Sequence, residues 1–157
     1  MGWGILSLMV FGAFVLLLAS AGIEDVRNRE IANWKNAAIA LLAPLWWWSI
    51  GLSLWPGVAI QVALAAVVFA VFVGAFALGQ MGGGDVKLIG AVALWLPFEP
   101  LAWMLVAMSL LGGALTLLLL AENWWRRSKA PIEVPYGVAI VIASLFAVRE
   151  PILNGFW

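Results

Sequence analysis

The stretch VFVGAFALGQMGGGDVKLIGAVALW, Val71–Trp95, decides how the chain is read. An apolar run gives way to three consecutive glycines, then to an acid and a base two residues apart, before a second apolar run begins. Two membrane helices joined by GGGDVK would hold a carboxylate at the edge of the hydrocarbon, where an ionisable group is costly and marks a functional site by default.

The rest of the chain agrees with a membrane setting. Its 157 residues are 66% hydrophobic and 10% charged and include 11 tryptophans, with a mean hydropathy of +1.09. Such a composition cannot be kept out of water by one soluble domain. Eight basic residues balance eight acidic ones, so no global field recruits nucleic acid. There is no cysteine and no histidine.

A hydrocarbon core of roughly 30 Å takes about 20 apolar residues as a helix, and shorter spans are tolerated within a bundle. Six spans are expected, at 3–23, 37–55, 57–79, 86–98, 101–121 and 135–148. The fold class is an all-α integral membrane bundle, and the whole of 1–157 reads as a single domain. Lys and Arg in short loops stay on the cytoplasmic side. Arg27, Arg29 and Lys35 follow span one, Lys87 follows span three, and Arg126, Arg127 and Lys129 follow span five, which leaves only Arg149 for the other face. Both termini are therefore expected outside and the three basic loops inside. Ala19, Ser20 and Ala21 resemble a signal-peptidase site, but no basic segment precedes them and the positive charges follow instead, so span one reads as a retained helix.

The chain has two aspartates, Asp25 and Asp85, and this topology puts both at the cytoplasmic end of a span. Each alone would pass as a loop carboxylate in water; the pair on one face, beside glycines, points to a site. Gly82, Gly83 and Gly84 have no Cβ and permit backbone shapes and close approaches denied to other residues. Irregular backbone at membrane depth is tolerated where it is buried or lines a wet cavity, so the run suggests such a pocket at the base of span four. The plainer alternative is a flexible hairpin. Gly112 and Gly113, within span five, read as helix-packing residues.

Peptide hydrolysis needs an activated serine, a metal-bound water or paired carboxylates, and a chain without histidine has neither the His-assisted serine nor the HExxH zinc site. Two carboxylates can share one proton, the charged one activating water while the protonated one holds the scissile carbonyl. Asp25 and Asp85 suit those roles. No metal-ligating cluster is visible and no cofactor is called for.

The GGGD at Gly82–Asp85 resembles the GxGD signature of aspartic intramembrane peptidases, and its continuation into Lys87 and Leu88 resembles type IV prepilin peptidases. In that family the first aspartate is followed six residues later by Ile, then Pro, then Asn; here Asp25 is followed by Ile31, Ala32 and Asn33, with Ala32 in the place of the proline. VPYGVAI, Val134–Ile140, resembles the start of the last helix in short family members. The resemblance implies a bacterial inner-membrane endopeptidase. By that resemblance it would remove the short basic leader of prepilin or pseudopilin proteins, cutting after a glycine on the cytoplasmic side. Asp25 and Asp85 would be catalytic, and Gly82, Gly83, Gly84, Lys87 and Asn33 would shape the site or touch substrate. Longer members carry a cysteine-containing cytoplasmic segment and methylate the new N-terminus; this chain resembles the short, peptidase-only form of tight-adherence (Flp) pilus systems. Archaeal preflagellin peptidases share the two aspartates.

Other polar residues carry smaller expectations. Lys87 would either stabilise the ionised pair or anchor span four by snorkelling. Glu24, Glu30, Glu122 and Glu133 fall on the basic-loop face as solvated charges or as attractors of a basic leader, and Trp46, Trp47 and Trp48 suit an interfacial aromatic cluster. The competing function is a small transporter or ion-conducting protein using the two aspartates; such sites usually lie near the bilayer midplane, not at span ends. A noncatalytic pilus-assembly subunit would not need both.

The topology is testable because the chain has no native cysteine. A single cysteine at Ser128 should escape a membrane-impermeant thiol reagent in intact cells and react once the membrane is opened; labelling in intact cells would reverse the orientation.

Overall fold

The computed structural model describes residues 4–127 and 134–154. Among these the chain is helical: α1 (Ile5–Asn28), α2 (Asn33–Ser49), a short π-helical turn (Leu54–Val58), α3 (Ala59–Ala77), α4 (Gly83–Ala93), α5 (Phe98–Trp125) and α6 (Tyr136–Asn154). Each expected span holds one helix. Three segments, Ile5–Asn28, Leu54–Ala77 and Phe98–Trp125, are long and apolar enough to cross a membrane by themselves. Lys129 and Glu133 lie outside the described residues.

The helices differ from the expected spans at both ends: toward the basic loops α1 runs on to Asn28 and α2 starts already at Asn33, and at the other end α2 stops at Ser49, α4 stops at Ala93 and α6 runs on to Asn154. Hydropathy marks where hydrocarbon ends, whereas a helix continues until its hydrogen bonds stop. Thus α1 runs past residue 23 and carries Asp25 on its last turns, ending where Arg29 (φ 56°) turns left-handed and donates its N–H to the Asp25 carbonyl at 3.0 Å. The end of α3 is closed by Gly79, at φ 70°, with the Gly79 N–H on the Phe76 carbonyl and the Gln80 N–H on the Ala75 carbonyl. Glycine takes this αL position without the cost a Cβ would bring. Gly82, by contrast, is extended at φ −70°, and Gly83 and Gly84 are the first two residues of α4. The run therefore departs from the expected irregular backbone: it opens a regular helix.

α4 sits at the centre, packed against α2, α3 and α6, while α6 also packs on α1 and α5. Eleven residues give α4 a length of about 16 Å, and the turn after it is buried, with Trp95 and Leu96 almost without exposure. The free carbonyls there must be met by protein. Gln61 Nε2 donates to Ala93 O at 2.8 Å and Leu96 O at 2.6 Å, and Trp47 Nε1 donates to Leu94 O at 2.9 Å. Trp95 Nε1 reaches Ile39 O on α2, and its ring stacks on Phe14 at 4.1 Å and on Trp46 at 5.7 Å. Trp46 and Trp47 are consequently core residues, and of the three clustered tryptophans only Trp48 is exposed. Outward-facing Leu16, Leu41, Val67, Val71, Leu110 and Leu117 are exposed, as expected where the solvent is lipid.

Gly112 on α5 admits the Tyr136 ring, which a Cβ would meet at 2.7 Å; Gly113 faces open space. The packing expectation thus holds for the first glycine and gains nothing at the second.

Gln61→Leu removes the donor from two buried carbonyls while keeping side-chain bulk. The variant should lose on the order of 1 to 2 kcal/mol of stability, read as a lower unfolding temperature in detergent against the unchanged protein.

Candidate active site

The ends of α1 and α3 and the starts of α2, α4 and α6 converge at one end of the bundle. Between them opens a cavity of roughly 950 Å³ lined by Asp25, Asn28, Arg29, Glu30, Ile31, Asn33, residues 79–85, Val134 and Tyr136.

Asp25 enters this cavity from α1 and is buried, 5% exposed. Its Oδ2 accepts the N–H of Val138 at 3.1 Å, and the N–H of Gly137 also points to the carboxylate. These donors belong to the first turn of α6, where a helix has N–H groups without internal partners. The approach is close: a Cβ on Gly137 would lie 2.7 Å from Asp25 Cγ and Oδ2 and 2.9 Å from Ile31 Cδ1. Glycine here is a steric requirement of the carboxylate.

Asp85 stands in the first turn of α4, partly buried, with the Gly82 N–H turned back toward its carboxylate. That is half of a capping box, in which the third helical residue reaches the backbone before the helix. Both carboxyl groups line the cavity, within electrostatic reach of each other. Of the three glycines, Gly82 is the tightest, since a Cβ there would meet Asp85 Oδ2 at 3.2 Å; at Gly83 and Gly84 it would make ordinary contacts with Phe76 and Ile31.

Asn33 lines the same cavity, and its Oδ1 accepts from Lys87 Nζ at 2.7 Å. Lys87 itself lies outside the cavity lining, on a neighbouring groove, and forms no ion pair with either aspartate. Glu24 pairs with Lys35 at 2.9 Å and accepts the Ala32 N–H at 3.1 Å, while Lys35 also donates to Ser20 O. A proline in place of Ala32 would have no N–H to give. Glu122 pairs with Arg126 on the surface at 3.0 Å and Glu30 is exposed. Among the described residues no three acidic side chains gather as metal ligands.

Sequence reasoning brought Asp25, Asp85, Gly82, Gly83, Gly84 and Asn33 to one place and missed Gly137, Val138 and the Glu24–Lys35–Ala32 unit. A signal for the first two was present: Pro135 before a glycine and an apolar run marks a helix start.

The sequence model of one protein family, described as the type IV leader peptidase family, matches residues 9–117, more than half of the chain. No curated protein and no solved structure matches. The matched residues include both aspartates, and α6 lies beyond them.

Gly137→Ala should leave the fold intact, because the atoms in the way are the movable ends of Asp25 and Ile31. Displacing a reacting group by about 1 Å can cost on the order of a hundredfold, so peptidase activity on a leader-bearing substrate should fall at least tenfold. Activity within twofold of the parent, at equal abundance, would show that the carboxylate tolerates the shift.

Proposed function

The chain belongs to the type IV leader peptidase family, and from that membership we propose that it is a membrane-embedded aspartic endopeptidase whose catalytic pair is Asp25 and Asp85. The observation that carries the reading is that carboxyl groups from two separate helices line one cavity. The whole of 1–157 works as one peptidase domain, since α6 supplies the N–H groups that hold Asp25.

Two facing carboxyl groups do not both ionise, so the pair holds one proton. The charged member takes a proton from water as the water oxygen attacks the scissile carbonyl carbon. The protonated member donates to the carbonyl oxygen and steadies the tetrahedral intermediate. Collapse breaks the C–N bond, and the departing amine takes a proton from the pair, which returns to its starting charge. The division of roles belongs to the coupled pair. Asn33 and the Gly82–Gly84 backbone border the space where an extended substrate would lie, and Lys87 fixes Asn33. The chemistry needs no metal or cofactor and involves no nucleic acid.

The substrate is a prepilin or pseudopilin whose short basic leader is removed after a glycine. The basic-loop rule sets the cavity toward the cytoplasm, in a bacterial inner membrane. With no cysteine in the chain, the protein cleaves without methylating the new N-terminus, as in peptidase-only forms serving Flp pili or related secretion machinery.

Asp25→Asn and Asp85→Asn should each abolish leader removal in lipid vesicles, and the double variant should be no worse than either, since members of one catalytic unit do not add. Mass spectrometry of the parent's product should show an unmethylated N-terminus. A well-folded Asp85→Asn protein that cleaves at the parent rate would end the aspartic reading and turn attention to ion transport.

A further inference from the structure

Ile31, in the turn between α1 and α2, lies against the supports of both aspartates. It is buried, 7% exposed, and lines the cavity. On one side its Cβ and backbone face Gly84, where an added Cβ would meet Ile31 Cβ at 3.5 Å, N at 3.6 Å and O at 3.7 Å. Gly84 precedes Asp85 in the first turn of α4. On the other side its Cδ1 reaches Gly137, where an added Cβ would lie 2.9 Å away. Gly137 belongs to the first turn of α6, whose Val138 N–H holds the Asp25 carboxylate. The side chain therefore stands between the two helix starts that hold the acids.

The base of this side chain is fixed. Two residues before it, the Arg29 N–H closes α1 on the Asp25 carbonyl, and one residue after it the Ala32 N–H is held by Glu24. Glu24 is paired with Lys35 at 2.9 Å, so the turn is tied to α1 and α2 together. Close-packed interiors compress little and pass displacements on. We infer that Ile31 is a positioning residue of the aspartate pair: an apolar spacer, set from the α1–α2 turn, that fixes the separation between the Asp85 turn of α4 and the α6 turn that holds Asp25. It touches no reacting atom in this role. Its weight in catalysis rests on the peptidase reading, whereas the spacing itself does not.

Ile31→Ala keeps the backbone and Cβ against Gly84 and loses the reach to Gly137; Ile31→Leu keeps both. Two measurements on the whole chain in lipid vesicles test the role. Spin labels on Met81→Cys and Val134→Cys, cavity-lining positions before α4 and α6 in a chain without native cysteine, report the separation of the two helix starts. Ile31→Ala should shorten that distance. Ile31→Leu should leave it at the parent value, as should Ile39→Ala, which truncates a fully buried isoleucine of α2 outside the cavity lining. On a leader-bearing prepilin, Ile31→Ala should lower kcat at least tenfold with KM within twofold, because a reacting group misplaced by about 1 Å can cost on the order of a hundredfold. Ile31→Leu and Ile39→Ala should keep kcat within about threefold of the parent. Should Ile31→Ala fail to accumulate, Ile31→Val, which lacks only Cδ1, should shorten the distance less and still lower kcat beyond the Ile31→Leu level. An unchanged distance, an equal change in Ile39→Ala, parental kcat at equal abundance, or a loss confined to KM overturns the proposal. If the distance responds to Ile31 but the parent cleaves no leader-bearing substrate, the spacer stands and the peptidase reading falls.

Discussion

The bond between the Asp25 carboxylate and the opening N–H groups of α6 holds the rest of the site in register. It joins the first helix to the last at the end of the bundle where the cavity opens. A carboxylate buried to this degree needs hydrogen-bond partners, and a helix start needs acceptors for its free N–H groups. Each supplies what the other lacks. Asp85 is held by the same kind of group, the start of α4. Two helix starts therefore face one cavity, each holding a carboxylate, Asp25 from α1 and Asp85 from α4 itself, and the rigidity of the helices behind them sets the geometry that shared-proton chemistry would use.

The opposite end of α4 obeys the same rule with different residues. A central helix of only 11 residues leaves its final carbonyls within the bundle, and Gln61 and Trp47 answer them. The stacked rings of Phe14, Trp95 and Trp46 then close the space around this buried turn. Polar groups at membrane depth are thus paired at both ends of α4, one set serving architecture and the other lining the cavity.

Much of this was legible in the sequence. Apolar run lengths located every helix, basic residues sorted the junctions onto one face, and the pairing of Asp25 with Asp85 across the chain followed from their placement at span ends. What escaped was set by tertiary contact. The aromatic run at 46–48 has the composition of an interfacial belt, and only the short α4 explains why Trp46 and Trp47 turn inward. The glycines at 82–84 suggested unusual backbone, but the left-handed residue is Gly79, because the end of α3 needs an αL closure and the start of α4 does not. Around Gly137 the sequence marks a helix start, but not the carboxylate it makes room for, which is more than a hundred positions away.

Ala32 acts through its backbone. Its N–H is spent on Glu24, and Glu24 is held in turn by Lys35, which also reaches Ser20. Glu24 on α1, Ala32 in the turn and Lys35 on α2 thereby form one connected unit. Proline at 32 would remove the backbone donor from Glu24 and leave Lys35 as its remaining partner. The Ala32 N–H thus completes a charged brace between α1 and α2, next to Asp25 in the chain.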